Sequence, residues 1–301
     1  MTPLQPRLET RGRDGGPIYD LIESVMCRAP PAESRAAQVD AAARALVAAG
    51  LPLNDVPFVK RMPADRRAIV RDIYADLIAR GVVRDEPVDD GMLDAIERGA
   101  AAYDHGERRT FIYPEEGRLL AALVDGLRPL RTVFLGSYYG YWARFAWEGL
   151  RATGGQAVLV DPDPEVCAIA RRNVAAAGLE ATVEVVVATG QDYLAAGSPG
   201  PIELLVIDAE VPRDHPVPGI RGKGIYAVLL AAAVPHLADE AILACHNILF
   251  ADATGDPAFE AIIERNRTEL AAFMDLARRE FDFVEYPTTE GVGIGRRRAS
   301  G

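Results

Sequence analysis

From Arg131 onward, short apolar runs rich in β-branched residues alternate with stretches of helical periodicity. Near-continuous hydrophobicity indicates strands that are buried on both faces, as in a parallel sheet. Their alternation with helices implies right-handed βαβ units of a doubly wound α/β domain. Two late runs are separated only by Pro287–Gly291, which is short enough for a hairpin, so we predict a mostly parallel seven-stranded sheet with an antiparallel C-terminal edge. The predicted strands are Thr132–Leu135, Ala157–Val160, Val183–Val187, Glu203–Ile207, Ala241–Ala244, Phe281–Tyr286 and Val292–Gly295.

The first part of the chain has a helical pattern instead. One predicted helix carries an apolar stripe, formed by Ile69, Ile73, Leu77 and Ile78. We therefore divide the chain into a helical N-terminal region, residues 1–112, and a main domain, residues 113–301. The N-terminal region is expected to cap the main domain or to form a homodimer. The predicted helices are Ser34–Ala49, Ala64–Arg80, Gly91–Tyr103 and Glu115–Val124.

Charge and cysteine content narrow the class of protein. The net charge of −11 argues against nucleic acid or an anionic membrane as the main partner, because phosphate binding needs a basic face. Cys27, Cys167 and Cys245 lie far apart and form no CxxC pair, which is typical of reduced thiols in a cytosolic protein. The N-terminus has no apolar signal core, and no run is long enough to cross a bilayer. We therefore expect a cytoplasmic protein.

Glycines and polar residues follow three of the predicted strands. Two glycines lie in Leu135–Tyr141, where they let the backbone come close to a ligand. Ligands of a doubly wound sheet bind beyond the carboxyl ends of its strands. Asp161 ends the second strand, where a carboxylate can accept hydrogen bonds from both hydroxyls of a ribose. After the third strand, Gln191 and Asp192 can hold an adenine edge. Together these residues predict a nucleoside-binding site.

In these segments the sequence resembles the class I S-adenosylmethionine-dependent methyltransferases, and most closely the catechol and caffeoyl-CoA O-methyltransferase group. Phe134–Tyr141 is similar to that group's first motif, and Leu204–Asp208 to its fourth strand with the terminal aspartate. Asp161, followed by Cys167–Asn173, resembles its second motif and helix. The resemblance implies S-adenosylmethionine as cofactor, bound by Gly136, Ser137, Tyr138, Gly140, Tyr141, Asp161, Pro162, Gly190, Gln191, Asp192 and Asp208.

The resemblance has two departures. Phe134 stands where many relatives carry an acidic residue, so an interaction with the cofactor's ammonium group must be weaker or come from elsewhere. Metal-dependent relatives hold a divalent ion at positions that match Asp208, His246 and Asn247. Imidazole suits iron, zinc or nickel, whereas magnesium prefers oxygen. Three explanations remain open: a transition metal is bound, His246 is a general base without metal, or His246 lines the pocket rim.

Relatives also carry a Lys-x-x-Tyr element after strand four, whose lysine can take the acceptor's proton. Lys223 and Tyr226 fit that spacing. Lysine serves as a base only where burial or nearby positive charge lowers its pKa. The preceding loop, Ala209–Gly222, contains His215 as a competing base, and its proline and glycine content predicts a movable lid. Glu290, in the terminal hairpin turn, is expected to face the acceptor.

The expected function is methyl transfer to a hydroxyl of a small-molecule acceptor, of the natural-product or phenolic kind that the composition suggests. Transfer to nitrogen or carbon without a metal stays open, because the donor site is common to these reactions. A non-catalytic cofactor-binding protein is a second alternative, against which the lysine–tyrosine and histidine–asparagine pairs argue. A nicotinamide-dependent oxidoreductase is the third, and the lack of a GxGxxG motif counts against it.

Overall fold

The computed structural model describes residues 44, 58, 61–63, 65–100, 102–106, 108, 112–197, 200–252 and 257–299. The predicted helix Ser34–Ala49, apart from Arg44, lies outside these residues, as does Cys27. Cys167 and Cys245 are buried free thiols, in agreement with the expectation of reduced cysteines.

A seven-stranded sheet forms the centre of the fold, with the strand order β3-β2-β1-β4-β5-β7-β6. The first five strands run parallel, whereas β7 pairs antiparallel with both β5 and β6. The predicted fold class, with its antiparallel C-terminal edge, is confirmed. The strands are β1 (Arg131–Leu135), β2 (Gln156–Asp161), β3 (Val183–Val187), β4 (Ile202–Ile207), β5 (Leu237–Cys245), β6 (Phe281–Tyr286) and β7 (Val292–Arg297).

Helices connect the strands and cover both faces of the sheet. The first described helix begins where it does because the Asp65 carboxylate accepts the backbone N–H groups of Arg67 and Ala68. Short 3-10 turns lie at Pro218–Ile220 and Val234–His236. The α-helices are α1 (Arg66–Ala79), α2 (Asp90–Ala100), α3 (Pro114–Leu127), α4 (Tyr141–Arg144), α5 (Trp147–Thr153), α6 (Pro164–Ala176), α7 (Gly190–Ala195), α8 (Ile225–Ala233), α9 (Pro257–Glu269) and α10 (Ala271–Glu280).

The core has two halves, one on each face of the sheet. Side chains of α1, α2, α3, α5 and α6 pack on one face, and those of α8 and α10 pack on the other. The described N-terminal helices therefore share a core with the sheet. The buried stripe of α1 differs from the predicted one, because Ile69 and Ile78 are only partly buried. The residues that α1 buries are Val70, Ile73, Tyr74 and Leu77.

One strand starts earlier than its sequence pattern indicates. β5 begins at Leu237, which pairs with Ile202, rather than at Ala241. The exposed Asp239 and Glu240 interrupt the apolar run, so a prediction based on hydrophobicity misses the first half of the strand.

The carboxyl ends of the central strands lie at one edge of the sheet and are tied to each other. The Gly136 and Ser137 N–H groups donate to Val160 O, the Asp208 N–H to Leu135 O, and the His246 N–H to Ile207 O. This edge brings together the loops that carry the predicted site residues. Within the part of the chain that the structure describes, no helix is both long enough and apolar enough to cross a membrane.

Candidate active site

The loop after β1 folds tightly over the carboxyl ends of β2 and β4. Gly136 has φ +75° and Gly140 φ +83°, a region that favours glycine. A Cβ on Gly136 would lie 2.4 Å from the backbone Cα of Ala209, so only glycine lets this loop approach the segment after β4. Tyr138 also has a positive φ, of 50°, and its side chain is 42% exposed.

Asp161 lies at the end of β2 with its carboxylate under this loop. Its Oδ2 accepts the Tyr138 N–H at 2.9 Å and its Oδ1 the Asp163 N–H at 3.0 Å. Burial raises the pKa of Asp161, and the two backbone donors partly oppose that rise. An ionised carboxylate offers about four acceptor positions, so this arrangement leaves room for hydroxyl donors of a ligand.

A buried polar atom in the same loop supports a donor site. Ser137 Oγ is buried and has no hydrogen-bond partner within the described residues. Buried hydroxyls are normally hydrogen-bonded in native structures, so this atom fits a role toward a bound polar group. The nucleoside of S-adenosylmethionine supplies such groups.

The other predicted donor-site residues have varied surroundings. Tyr141 contacts the rings of Tyr103, His105 and Phe145. Pro162 is exposed beside Asp161. The predictions for Tyr141 and Pro162 as cofactor contacts remain predictions.

The segment after β3 is organised by Thr189. Its hydroxyl accepts the Asp192 N–H at 3.1 Å and contacts Asp192 Oδ2 at 2.7 Å. Gly190 packs so closely on Leu229 that a Cβ would come within 2.5 Å of that side chain. Gln191 is half-buried at the start of α7. Its predicted contact with adenine remains a prediction.

Asp208, Lys223 and Tyr226 form a connected cluster at the end of β4. Lys223 Nζ is 3.3 Å from Asp208 Oδ1 and 3.3 Å from the Tyr226 hydroxyl. Tyr226 is fully buried, donates to His246 O at 3.0 Å, and burial raises its pKa well above the ordinary value. Tyr226 therefore fixes the ends of β4 and β5 to each other.

His246 bridges two carboxylates at the end of β5. Its Nδ1 is 3.5 Å from Asp208 Oδ1 and its Nε2 is 2.9 Å from Glu116 Oε2. Burial alone would lower the pKa of His246, but the charges of Glu116 and Asp208 raise it well above the ordinary value. Burial likewise works against the charged form of Asp208, and the positive charges of Lys223 and His246 outweigh it, so its pKa lies well below the usual range.

Glu116, in the first turn of α3, is a site residue that the sequence did not reveal. Its Oε2 accepts the Tyr113 N–H at 2.9 Å, and its Oε1 accepts the Thr288 hydroxyl and the Glu290 N–H, both at 2.8 Å. Acidic residues in a first helical turn are ordinarily exposed and face the helix dipole. The one local signal is the capping-box position of Glu116, three residues after Tyr113.

Its neighbour Glu115 is also buried. Glu115 Oε1 accepts the Thr289 N–H at 2.9 Å and the Thr289 hydroxyl at 2.6 Å, whereas Oε2 has no partner among the described residues. Burial and the neighbouring Glu116 raise the pKa of Glu115. Hydrogen bonds to these two glutamates thus attach the turn between β6 and β7 to the first turn of α3.

Glu290 occupies that turn and belongs to the same cluster. Its Oε2 accepts from the Asn247 side-chain amide at 3.2 Å, and Asn247 itself has φ +57°. Burial raises the pKa of Glu290 to about 7, with His246 and Asn247 acting in the opposite direction and Glu116 adding to the rise. A carboxyl group with that pKa can take or give a proton near neutral pH.

His215 lies in the loop before Lys223, and its contacts are with that loop. Its Nδ1 accepts the Val217 N–H at 3.2 Å and its carbonyl accepts from Arg221 Nε at 2.7 Å. The base of the loop is closed by paired hydrogen bonds between Val211 and Gly222. His215 as a base remains a prediction, as does the movement of the loop as a lid.

The predicted metal ligands Asp208, His246 and Asn247 are near one another in space. Among the described residues, however, no group of three or more His, Cys, Asp and Glu side chains is arranged to hold a metal ion. The side chains are engaged with each other and with Lys223, Glu116 and Glu290 instead.

Comparison with known proteins agrees with this geometry. The family model described as a methyltransferase domain, Methyltransf_24, matches residues 133–248. A curated catechol O-methyltransferase from Mycobacterium tuberculosis is 29% identical over 117 residues, which cover 38% of this chain and 53% of that protein. The chain thus matches about half the length of this curated relative.

Two solved structures share the fold. The SAH-bound Podospora anserina methyltransferase PaMTH1 is 17% identical with a TM-score of 0.52, and the alignment covers 75% of this chain and 96% of that one. The cofactor-bound Rv0187 from MTB is 20% identical with a TM-score of 0.50, over 76% and 98% of the two chains. The matched residues include the loop after β1, Asp161 and the end of β5, so this part of the chain is similar to a methyltransferase domain.

Proposed function

We propose that this chain transfers a methyl group from S-adenosylmethionine to a hydroxyl of a small molecule. One observation carries the proposal: the glycine loop with Asp161 and the buried cluster around Asp208, Lys223 and Glu290 lie at the same edge of the sheet. A donor site and groups able to handle a proton are the two requirements of O-methylation. The name of the Mycobacterium tuberculosis relative, a catechol O-methyltransferase, supports a hydroxyl acceptor.

On the donor side, the chain's own groups bind and orient. Asp161 accepts hydrogen bonds from the ribose hydroxyls, and Ser137 Oγ, which has no partner among the described residues, contributes a further polar contact. The bound cofactor supplies a sulfonium-activated methyl group. The protein's main contribution is to align the acceptor oxygen with that group, and positioning of this kind can lower a barrier by roughly 7–11 kcal/mol.

On the acceptor side, Glu290 takes the proton of the hydroxyl and Lys223 stabilises the oxygen anion that forms. Glu290 has a pKa of about 7, which suits a general base near neutral pH. The Lys223 ammonium is paired with Asp208 at 3.3 Å and is therefore assigned a role in charge stabilisation rather than in proton removal. Tyr226 positions Lys223 through the contact at 3.3 Å.

The donor half of the proposal is tested by isothermal titration calorimetry with S-adenosylhomocysteine. Asp161→Asn is expected to weaken binding about 10–100-fold, since a hydrogen bond to a charged group contributes about 1.5–3 kcal/mol. Asp163→Asn is the matched control, because Asp163 caps α6 and asparagine caps equally well. Equal affinity of the wild type and Asp161→Asn, with both folded, would refute the donor site.

The acceptor half is tested with methyl-labelled S-adenosylmethionine and a panel of phenols, amines and activated carbon acids. We expect label in an aryl or alkyl methyl ether. Label found only on nitrogen or carbon would replace the hydroxyl by one of the alternative acceptors, and cofactor binding without turnover on any acceptor would favour a binding protein.

A further inference from the structure

The C-terminal end of α9 contacts the backbone that carries Lys223. Glu269 is the last residue of α9, and its Oε2 accepts the Lys223 N–H at 2.9 Å. The Glu269 side chain is 16% exposed, and its Oε1 lies 3.9 Å from Nε of Arg213, in the loop before Lys223. Glu269 therefore connects the cluster at the end of β4 to a helix that ends 46 residues later in the chain.

The backbone next to Lys223 has the shape that this contact requires. Gly222 has φ +55°, and a Cβ at this position would overlap the carboxylate of Glu269. Because glycine has no side chain, Glu269 can approach the backbone closely. Gly222 also exchanges two backbone hydrogen bonds with Val211, and these close the base of the preceding loop. The backbone of Lys223 is thus fixed by its own loop on one side and by Glu269 on the other.

α9 is in turn attached to the segment after β5. Asn266 is 3% exposed, and its side-chain amide donates to Asn247 O at 3.3 Å and to Leu249 O at 2.9 Å. Asn247 has φ +57°, a conformation that a residue other than glycine keeps only where its surroundings hold it. Asn266 and Glu269 are three residues apart and share one face of the helix. One turn of α9 therefore sets the spacing between the segment after β5 and the backbone of Lys223.

The position of that backbone matters because the Lys223 ammonium lies at the end of a flexible four-carbon stem. Its Nζ is 3.3 Å from both Asp208 Oδ1 and the Tyr226 hydroxyl. A displacement of about 1 Å in a group that acts on a reacting atom can lower a rate about 100-fold.

We propose that Glu269 is a positioning residue for methyl transfer, which fixes the backbone of Lys223 so that its ammonium lies where the acceptor oxygen becomes charged. This inference rests on the proposed function, in which Lys223 stabilises that oxygen anion. Asn266 supports it by attaching the same helical turn to the end of β5.

The activity test uses methyl-labelled S-adenosylmethionine and a hydroxyl acceptor that the wild type methylates. Glu269→Leu removes the acceptor of the Lys223 N–H, so we expect kcat to fall about 10–100-fold. Glu269→Gln keeps a side-chain oxygen as acceptor and should stay within about threefold of the wild-type kcat, since it loses only the charge. Glu264→Leu is the matched control on the same helix, because Glu264 is 74% exposed, and its kcat should equal that of the wild type.

Calorimetry with S-adenosylhomocysteine distinguishes positioning from a general loss of structure. We expect the same affinity in the wild type and all three variants, because Asp161 and the loop after β1 keep their own contacts. A wild-type kcat in Glu269→Leu, no recovery in Glu269→Gln, or weaker binding that accounts for the lost rate would overturn the inference and leave the proposed function intact. Absence of methyl transfer by the wild type on every hydroxyl acceptor would instead remove the proposed function.

Hydrogen exchange of the Lys223 amide, followed by nitrogen-15 NMR, measures the contact without any acceptor. We expect this amide to be protected in the wild type and in Glu264→Leu. Its exchange should be about 10–100-fold faster in Glu269→Leu, since a hydrogen bond to a charged group contributes about 1.5–3 kcal/mol. An unprotected Lys223 amide in the wild type would overturn the inference, whether or not the variants fold.

Discussion

At the residue scale, the buried acids behave differently from one another because each has different partners. Glu116 receives several donors, whereas among the described residues the Glu290 carboxylate receives one side-chain donor, from Asn247, and is largely buried. Burial without enough compensating donors raises a carboxyl pKa. The same side-chain type is thus held by several hydrogen-bond donors at one position and can exchange a proton near neutral pH at another.

The role of Glu290 predicts a pH dependence. A base must be deprotonated, so kcat/KM is expected to fall about tenfold per pH unit below a midpoint near 7. Glu290→Gln should lower kcat about 10²–10⁴-fold and abolish that dependence. Glu285→Gln, on the same hairpin but paired with Arg278 at the surface, is the control. The prediction fails if Glu290→Gln keeps the wild-type rate and pH profile.

The conformation of the loop after β1 predicts that alanine at two glycine positions lowers stability by different amounts. Gly136 and Gly154 share a positive φ, of 75° and 73°, but a Cβ on Gly154 would meet nothing within 4 Å. Both alanine variants lose stability because alanine disfavours the left-handed backbone conformation. Only Gly136→Ala also places its Cβ against Ala209. We expect Gly136→Ala to be less stable than Gly154→Ala by about 1–3 kcal/mol, the cost of overpacking.

Urea denaturation measures this difference, and calorimetry with S-adenosylhomocysteine follows its effect on binding. Gly154→Ala should keep the wild-type affinity because Gly154 lies at the end of α5, just before β2 begins, whereas Asp161 lies at the other end of that strand. Equal stability of the two variants would mean that Gly136 does not need to approach the segment after β4.

At the scale of elements, a buried arginine docks α2 on α3. Arg118 is 0% exposed, and its guanidinium is 3.1 Å from Asp90, 2.6 Å from Asp94 and 3.0 Å from Glu97. The three acids occur at helical spacing, so they form one face of α2. Their partly exposed carboxylates surround one buried guanidinium. These contacts hold α2 against α3, the helix that also carries Glu116.

Arg118→Met should therefore destabilise the fold. We expect a loss of about 1.5–3 kcal/mol, because the acids lose a buried charged partner and each keeps only a more exposed arginine, Arg71, Arg67 or Arg66. Arg151→Met is the matched control, since Arg151 is 61% exposed and pairs with Glu148 at the surface; its effect should stay within about 0.5 kcal/mol. Urea denaturation compares the two, and hydrogen exchange over residues 90–100 should increase only in Arg118→Met.

At the scale of the whole molecule, the described N-terminal helices and the sheet bury their apolar side chains in one shared core. Trp142 and Trp147, the two tryptophans of the chain, lie in that core together with Val70 and Leu77 of α1. A role for residues 1–112 as a separate cap or a dimerisation element remains a proposal. The shared core nevertheless makes α1 and α2 part of the structure that supports the site.

This shared core predicts cooperative unfolding. Tryptophan fluorescence, which reports on the core, and far-ultraviolet circular dichroism, which reports on all helices, should follow one urea transition with the same midpoint. Two midpoints, with helical signal lost before the fluorescence changes, would show instead that the N-terminal helices unfold independently.

Much of the fold follows from the sequence because the signals are local. Buried parallel strands appear as continuous apolar runs, and the ends of such strands meet at one edge, which is why Asp161 could be proposed from its position at a strand end. Asp208 and Lys223 were instead proposed from the resemblance to the methyltransferase group. Predictions from local patterns fail where a polar residue lies in a regular element or an apolar residue is left partly exposed. The polar Asp239 lies within β5, so the start of that strand was not predicted. In α1, Tyr74 is buried and Ile78 is not among the buried residues.

The sequence by itself thus determined the α/β sheet, the donor loop and the acid that ends β2, since each depends on neighbours within a few residues. Only the tertiary structure decided which side chains contact His246. Its partner Glu116 is 130 residues away in the chain, and Thr288 reaches the same carboxylate across 172 residues. Charges brought together over such distances leave no periodic trace in the sequence, because their pairing depends on how α3 and the last hairpin pack against the end of β5.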